Sequence, residues 1–184
     1  MSDILKHPLI RAHQDRLERW RKAMNLVGPG PTDDHYLDAD RALALAAVRP
    51  TGRWADLGTG AGFPGVVFAA RFPDLDITLI DSRHKRCVFL SGALAEAGVP
   101  HRATVLCART ETLESGAWDG VTARAYAPPG EVLDEAARLL RPGGQLLLLV
   151  ANDVPDAHPA FPDLANLRYP NDARNRAVLV GTRA

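Results

Sequence analysis

The sharpest chemical signal lies in one run, Asp56-Leu57-Gly58-Thr59-Gly60-Ala61-Gly62-Phe63-Pro64-Gly65. Glycines let a backbone turn tightly and let a ligand approach with no Cβ in the way. A helix that begins beyond such a loop offers free N–H groups and a positive dipole end. Pro64 suits a first helical turn, where no N–H is needed. Two ligands compete for the pattern. Gly60-x-Gly62-x-x-Gly65 is a dinucleotide fingerprint, with Asp81 at about the offset of its ribose-binding acid. Asp56 points the other way. A carboxylate aimed at the place of a pyrophosphate repels it, but suits the ammonium of an amino-acid-like ligand. S-adenosylmethionine carries an adenosine, a sulfonium and an amino-acid end, and no phosphate. The spacing Asp-x-Gly-x-Gly-x-Gly therefore favours this methyl donor. A purely structural turn is the bland alternative, and clustered glycines cost stability with no compensating use.

Other residues fall around the same presumptive crevice. Asp81 closes a strand, where a carboxylate accepts hydrogen bonds from both ribose hydroxyls or caps the next helix. Glu111, in Arg109-Thr110-Glu111, follows a strand and stands either at the adenine edge or on the surface. Arg124 ends another strand, in the crevice where open α/β sheets bind ligands, or forms a buried ion pair. Tyr126, beside it, is a stacking platform for an extruded base. His7, His13, His35, His84, His101 and His158 are scattered and read as surface or packing residues. Cys87 and Cys107 read as reduced thiols; neither a metal site nor a disulfide framework is expected.

The elements that position these residues follow from periodicity and punctuation. Ile10, His13, Leu17, Trp20, Met24 and Val27 make the stripe of an amphipathic helix, ended by Gly28-Pro29-Gly30-Pro31. Thr32 or Asp33 caps a second helix to about Val48. From Arg53 strands and helices alternate, which predicts a parallel sheet covered on both faces. Strands are expected at Trp54–Leu57, Asp76–Ile80, Ala103–Cys107, Gly120–Ala123 and Gln145–Val150. Helices fall at about Pro64–Arg71, Arg83–Ala97 and Glu131–Leu140. The tail offers two short strands, near Leu167 and at Ala177–Val180. The fold class is thus α/β, doubly wound and mostly parallel, with two N-terminal helices. Residues 1–50 are read as a helical extension and 51–184 as the ligand-binding domain, together one unit.

With 184 residues, 46% hydrophobic and 24% charged, the chain has the make-up of one globular domain. No apolar run approaches the roughly 20 residues of a membrane helix, and the N-terminus lacks a signal pattern, so a cytoplasmic protein without membrane contact is expected. Lys+Arg and Asp+Glu are both 22. A zero balance disfavours indiscriminate nucleic-acid binding but leaves room for a local basic face.

Taken together, Asp56–Gly65, Thr78-Leu79-Ile80-Asp81-Ser82, Lys85-Arg86 and Phe89-Leu90 resemble the glucose-inhibited division protein B family. Trp20, Lys22 and Asn25-Leu26 look like its N-terminal helix, and His35 with Leu37-Asp38 like its histidine…leucine-aspartate segment. Arg109-x-Glu111 and Arg124-Ala125-Tyr126 are similar to two further signatures. The resemblance spans about Arg16 to Val150. It implies a Rossmann-like methyltransferase sheet, S-adenosylmethionine as cofactor (S-adenosylhomocysteine as product), and methylation of guanine N7 in 16S ribosomal RNA. Donor contacts are expected at Asp56, Gly58, Gly60, Gly62, Phe63, Asp81, Thr110, Glu111 and Arg124. Acceptor contacts are expected at His35, Arg21, Lys22, Lys85, Arg86 and Tyr126, with ribosomal RNA or the small subunit as partner and a monomer favoured. Where the family usually has lysine-glycine after the fifth strand, this chain has Ala151-Asn152-Asp153. Guanine N7 carries a lone pair and no proton, so no general base is assigned. A small-molecule methyltransferase, a nicotinamide-dependent oxidoreductase and a non-catalytic nucleotide-binding module are the rival readings.

Overall fold

The alternating segments assemble into a seven-stranded sheet in the order Ala103–Cys107, Asp76–Asp81, Arg53–Leu57, Trp118–Arg124, Leu140–Val150, Arg174–Thr182, Ala165–Asn171. The computed structural model describes residues 3–98, 102–151, 154–171 and 174–184; Asn152 and Asp153, which depart from the family pattern, lie outside them. The elements are α1 (Pro8–Met24), α2 (Asp33–Ala46), β1 (Arg53–Leu57), α3 (Gly65–Arg71), β2 (Asp76–Asp81) and α4 (His84–Glu96). They continue with β3 (Ala103–Cys107), β4 (Trp118–Arg124), α5 (Pro129–Leu139), β5 (Leu140–Val150), β6 (Ala165–Asn171) and β7 (Arg174–Thr182). The first five strands are mutually parallel. β7 runs antiparallel to both β5 and β6. Because β1 lies between β2 and β4, the chain reverses direction across the sheet there. The carboxyl ends of β1 and β4 then flank a crevice.

Successive residues of a strand face opposite sides, and both sides are filled. Trp54, Ile77 and Leu79 pack with Phe68 of α3 and with Ile10, Leu17 and Tyr36 of the N-terminal helices. Ala55, Ile80 and Val121 pack on the other side with Leu133, Ala136 and Leu139 of α5. The N-terminal helices thus share a core with the sheet.

Several boundaries differ from the sequence expectation. α1 stops at Met24, ahead of the glycine–proline run, because Asn25 turns left-handed (φ 50°) and donates its N–H to the Arg21 carbonyl. Asn tolerates that conformation through its short polar side chain. Trp20, expected on the buried stripe, is 46% exposed. α3 begins one residue after Pro64, which occupies the N-cap position. β4, β5, β6 and β7 are longer than expected, since pairing extends each beyond its apolar stretch.

Gly120 pairs with Trp54 across β1 and β4, and a Cβ there would lie 1.9 Å from the Trp54 ring. Trp54 is fully buried and cannot yield. Gly120→Ala should therefore cost about 1–3 kcal/mol by overpacking. Thermal melts followed by circular dichroism should show a midpoint lower by about 2–4 °C for each kcal/mol. An unchanged midpoint would show that the indole has room to move.

Candidate active site

The glycine loop hangs from a buried carboxylate. Asp56, on β1, has no exposure to solvent. Its Oδ2 accepts the Thr59 hydroxyl at 2.5 Å and the Gly65 N–H at 2.9 Å. It so ties the loop's beginning to the first residue of α3. Gly65 is required here, because a Cβ would fall 2.6 Å from that oxygen and 2.1 Å from Leu79. The other oxygen, Oδ1, is buried with no protein partner. Burial, partly offset by the two hydrogen bonds, raises the carboxyl pKa to about 7. Asp56 does not point into the open crevice, as the sequence suggested. It acts on the loop from beneath.

Four of the loop's amides are spent internally. Thr59 N–H reaches the Ile80 carbonyl, and Gly62 and Phe63 N–H both reach the Thr59 carbonyl. Gly60 N–H donates to Asp81 at 3.0 Å. A pyrophosphate needs such amides free, so this geometry disfavours a dinucleotide.

Above the loop lies a cavity of about 410 Å³, walled by Gly58, Asp81, Arg86, Thr110, Glu111 and Tyr126 among others. That size lies within the range of small-molecule sites, roughly 300–1,000 Å³. Gly58 (φ +58°) carries the Tyr126 ring so closely that a Cβ would lie 2.2 Å from it. The Tyr126 hydroxyl bonds Thr110 Oγ1 at 2.6 Å. Tyr126 is thus built into this wall, and its expected place as an acceptor platform is displaced to the cavity side.

Asp81 is 4% exposed. Besides Gly60, it accepts the Arg83 N–H at 2.9 Å and Arg86 Nη1 at 3.1 Å. The carboxylate thus braces the glycine loop and the residue ahead of α4, and it lines the cavity. Arg86, expected on an RNA-facing surface, is instead held in an ion pair at the cavity. Glu111 and Lys85 are exposed beside it.

A second group sits on the α2 side. Arg124 lies over the Phe63 ring at 4.6 Å and 3.9 Å from Asp38. Burial, opposed by Asp38, lowers its pKa to about 10, so it remains a cation at neutral pH. His35 packs on Phe63 with ring centroids 5.3 Å apart. Burial, then Arg124, lowers its pKa to about 4, so it is neutral. Asp38 also accepts the Tyr169 hydroxyl at 3.0 Å and stands 3.9 Å from Arg176. Sequence reasoning missed Tyr169 and Arg176. They come from the last two strands, and only their pairing beside β5 brings them to α2.

The expected basic face is not continuous. Arg21 pairs with Glu18 at 3.3 Å, and Arg16 and Arg19 both engage Glu96 at the carboxyl end of α4. Lys85 and Arg86 stand at the opposite end of that helix, roughly 16 Å away at 1.5 Å per residue. Among the described residues, no group of three His, Cys, Asp or Glu side chains is arranged for a metal ion.

A family model described as GidB, rRNA small subunit methyltransferase G, matches residues 6–163. The chain belongs to this family. A relative named ribosomal RNA small subunit methyltransferase G from Halorhodospira halophila is 39% identical over 151 residues, 80% of this chain and 70% of that protein. One of the same name from Laribacter hongkongensis is 31% identical over 176 residues, 93% and 79% of the two chains. Among solved structures, a mutant of MtNAS in complex with S-adenosylmethionine superposes with a TM-score of 0.66 at 14% identity, over 96% of this chain and 72% of that one. A SAM dependent methyltransferase from Aquifex aeolicus gives 0.63 at 14%, over 91% and 98%. These likenesses show the fold, that of a class I methyltransferase.

The chain is accordingly an S-adenosylmethionine-dependent methyltransferase. The nicotinamide reading falls with the family match, with the spent amides and with the antiparallel β7 that a dinucleotide fold lacks. The residues present fit the donor. The cavity offers carboxylate acceptors and an aromatic wall in place of an anion nest.

Asp56 gives this fold a pH signature. Its folded-state pKa is raised from 3.8 to about 7, so the fold prefers the protonated acid. Stability from that proton is present at low pH and lost as pH rises through about 7. Asp56→Asn keeps an oxygen for Thr59 and Gly65 and removes the charge. The variant's thermal midpoint should gain on the parent by several degrees more at pH 8 than at pH 5. An equal difference at both pH values would show that Asp56 is ionised throughout.

Proposed function

We propose that this chain transfers a methyl group to N7 of a guanine in 16S ribosomal RNA, with the donor's adenosine in the cavity above Gly58. The reading rests on one observation: Asp81, Thr110, Glu111 and Tyr126 converge on the glycine loop in a chain of this family. Asp81 accepts the ribose hydroxyls, Glu111 faces the adenine edge, and Gly58 with Tyr126 walls the base. Gly60 lets the loop pass close to the donor, whereas Gly62, expected there too, is needed on the core side, where a Cβ would meet Leu90, Val66 and His13. Arg124, a buried cation over Phe63, receives the carboxylate of the amino-acid end. Arg86 must release Asp81 for the ribose to bind.

S-adenosylmethionine supplies a methyl group activated by its sulfonium. The protein's task is alignment and the exclusion of water. N7 needs no deprotonation, and a neutral His35 beside Phe63 matches a role in positioning the acceptor rather than moving a proton. Because the net charge is zero, RNA phosphates must be met by a local patch. Exposed Arg83 and Lys85 at the amino end of α4 are the best placed, with Lys22 more remote and Arg21 committed to Glu18. Among the described residues no helix is long and apolar enough to cross a membrane. We place the enzyme in the cytoplasm, as a monomer, acting on ribosomal RNA or the small subunit.

The deciding experiment incubates the protein and S-adenosylmethionine with naked 16S RNA and with assembled small subunits, then maps N7-methylguanosine. Modification of neither, with donor binding intact, would shift the reading to a small-molecule acceptor. Two ribose contacts at about 1.5–3 kcal/mol for a charged hydrogen bond predict that Asp81→Ala loses at least about tenfold in S-adenosylhomocysteine affinity by calorimetry. Unchanged affinity with a lower melting temperature would reduce Asp81 to a brace for Gly60 and Arg83. Lys85→Glu should weaken RNA binding and flatten its salt slope by about 0.7 for a lost phosphate contact on a single strand, leaving donor affinity as it was. A parent protein whose RNA binding ignores salt would remove the basic patch.

A further inference from the structure

The glycine loop has a third tether, from a residue that composition and motif leave unassigned. His13, on α1, is fully buried. Its Nε2 lies 2.7 Å from the Ala61 carbonyl and its Nδ1 2.6 Å from the Tyr36 hydroxyl. A carbonyl only accepts, so Nε2 carries the proton and Nδ1 accepts from Tyr36. Burial holds the imidazole neutral, lowering its pKa to about 4 despite the Ala61 bond. The rings of Phe63 and Phe89 stand edge-on to it, both at 5.6 Å. A Cβ on Gly62 would fall 3.0 Å from Nε2, so the imidazole packs directly on the loop's backbone.

We propose that His13 is a positioning residue for the methyl donor, holding the Ala61 carbonyl so that Gly60 and Phe63 keep their places on either side of it. This rests on the reading that the loop contacts the donor. Gly60 N–H is bound to Asp81, on the cavity side. Phe63 lies under Arg124, on the α2 side. The Ala61–Gly62 peptide between them is held at its N–H by the Thr59 carbonyl, 2.8 Å from Gly62 N, and at its carbonyl by His13. If that carbonyl loses its donor, it must rotate to find another, because a buried unsatisfied acceptor is costly. Rotation would strain the Gly62 N–H bond to Thr59 and draw Gly60 from Asp81 and Phe63 from Arg124. Tyr36 keeps the relay in register by occupying Nδ1. Two helices ahead of the sheet thereby set the shape of a site to which they contribute no cavity-lining side chain.

The test compares His13→Phe, His13→Gln and Tyr36→Phe with the parent, using S-adenosylhomocysteine calorimetry and steady-state kinetics. Phenylalanine keeps the ring and removes both hydrogen bonds. Its donor Kd and KM should rise about tenfold, with kcat within about twofold. Glutamine can donate to Ala61 and accept from Tyr36, and should restore affinity to within about threefold. Tyr36→Phe, which removes only the hydroxyl, should weaken binding by about threefold, and in a double variant with His13→Phe should add little. If His13→Phe fails to fold, Tyr36→Phe decides. Parent-like donor binding in a folded His13→Phe, or in that event in Tyr36→Phe, overturns the proposal and leaves His13 to packing. Failure of glutamine to rescue overturns the hydrogen-bond account. Gly60→Val separates this from the loop reading. If it abolishes binding while His13→Phe does not, only the His13 inference falls. If both bind as the parent does, the loop is not the donor site.

Discussion

A carboxylate kept wholly from water is expensive unless its oxygens are met by donors, and Asp56 is placed at the point where β1 becomes the glycine loop. One of its oxygens holds both Thr59 and the first amide of α3. The loop's span and the start of α3 are therefore fixed by a single side chain. What lies above follows from this. Gly58 can pass beneath Tyr126, Gly60 can reach Asp81, and Phe63 is delivered beneath Arg124. The second, unpartnered oxygen keeps that arrangement sensitive to protonation.

The fold was legible to the extent that its determinants are local. β3 matched residue for residue, and β1, β2 and α4 came within a residue or two. Alternating apolar residues and glycine punctuation act over a few positions and survive in a bare sequence. That Asp81 and Glu111 would line the crevice was legible because strand ends in a parallel sheet face one side; Thr110, which lines it too, was marked only by the family resemblance. Contacts between distant segments were not legible. Arg86 was read by charge alone as a phosphate contact, though it folds back five residues to Asp81. Tyr126 was assigned to the acceptor, since nothing local reveals that Thr110 waits 16 residues upstream for its hydroxyl. His13 was passed over as one of several scattered histidines, because its partner Ala61 lies 48 residues away. Polar relays between distant segments leave no periodicity behind them.

The equal counts of acid and base also acquire a physical meaning. Many charges neutralise one another across elements: Arg71 with Asp40, Arg141 with Asp119, Arg16 and Arg19 with Glu96. These exposed or half-exposed pairs each contribute little to stability. They do, however, cancel the field that would otherwise surround the molecule. Arg83 and Lys85, at the amino end of α4, stand exposed without such an ion pair among the described residues. A neutral protein with a local excess of positive charge would discriminate by place, whereas a uniformly basic one would adhere to any polyanion.

The position of β7 bears on how the molecule is made. β5 is complete at Val150, yet the strand that covers its free edge is β7, which runs to Thr182, and β6 reaches the sheet only through β7. Translation proceeds from the amino end, so β5, with Leu146 to Leu149 in its core, emerges with one side bare. For that interval its unpaired backbone can recruit a strand from another nascent chain. Deletions that cut the final hairpin would then cause more than the loss of two strands. They would turn an interior strand into a permanent sticky edge, and the expected fate of such truncated chains is coaggregation during synthesis.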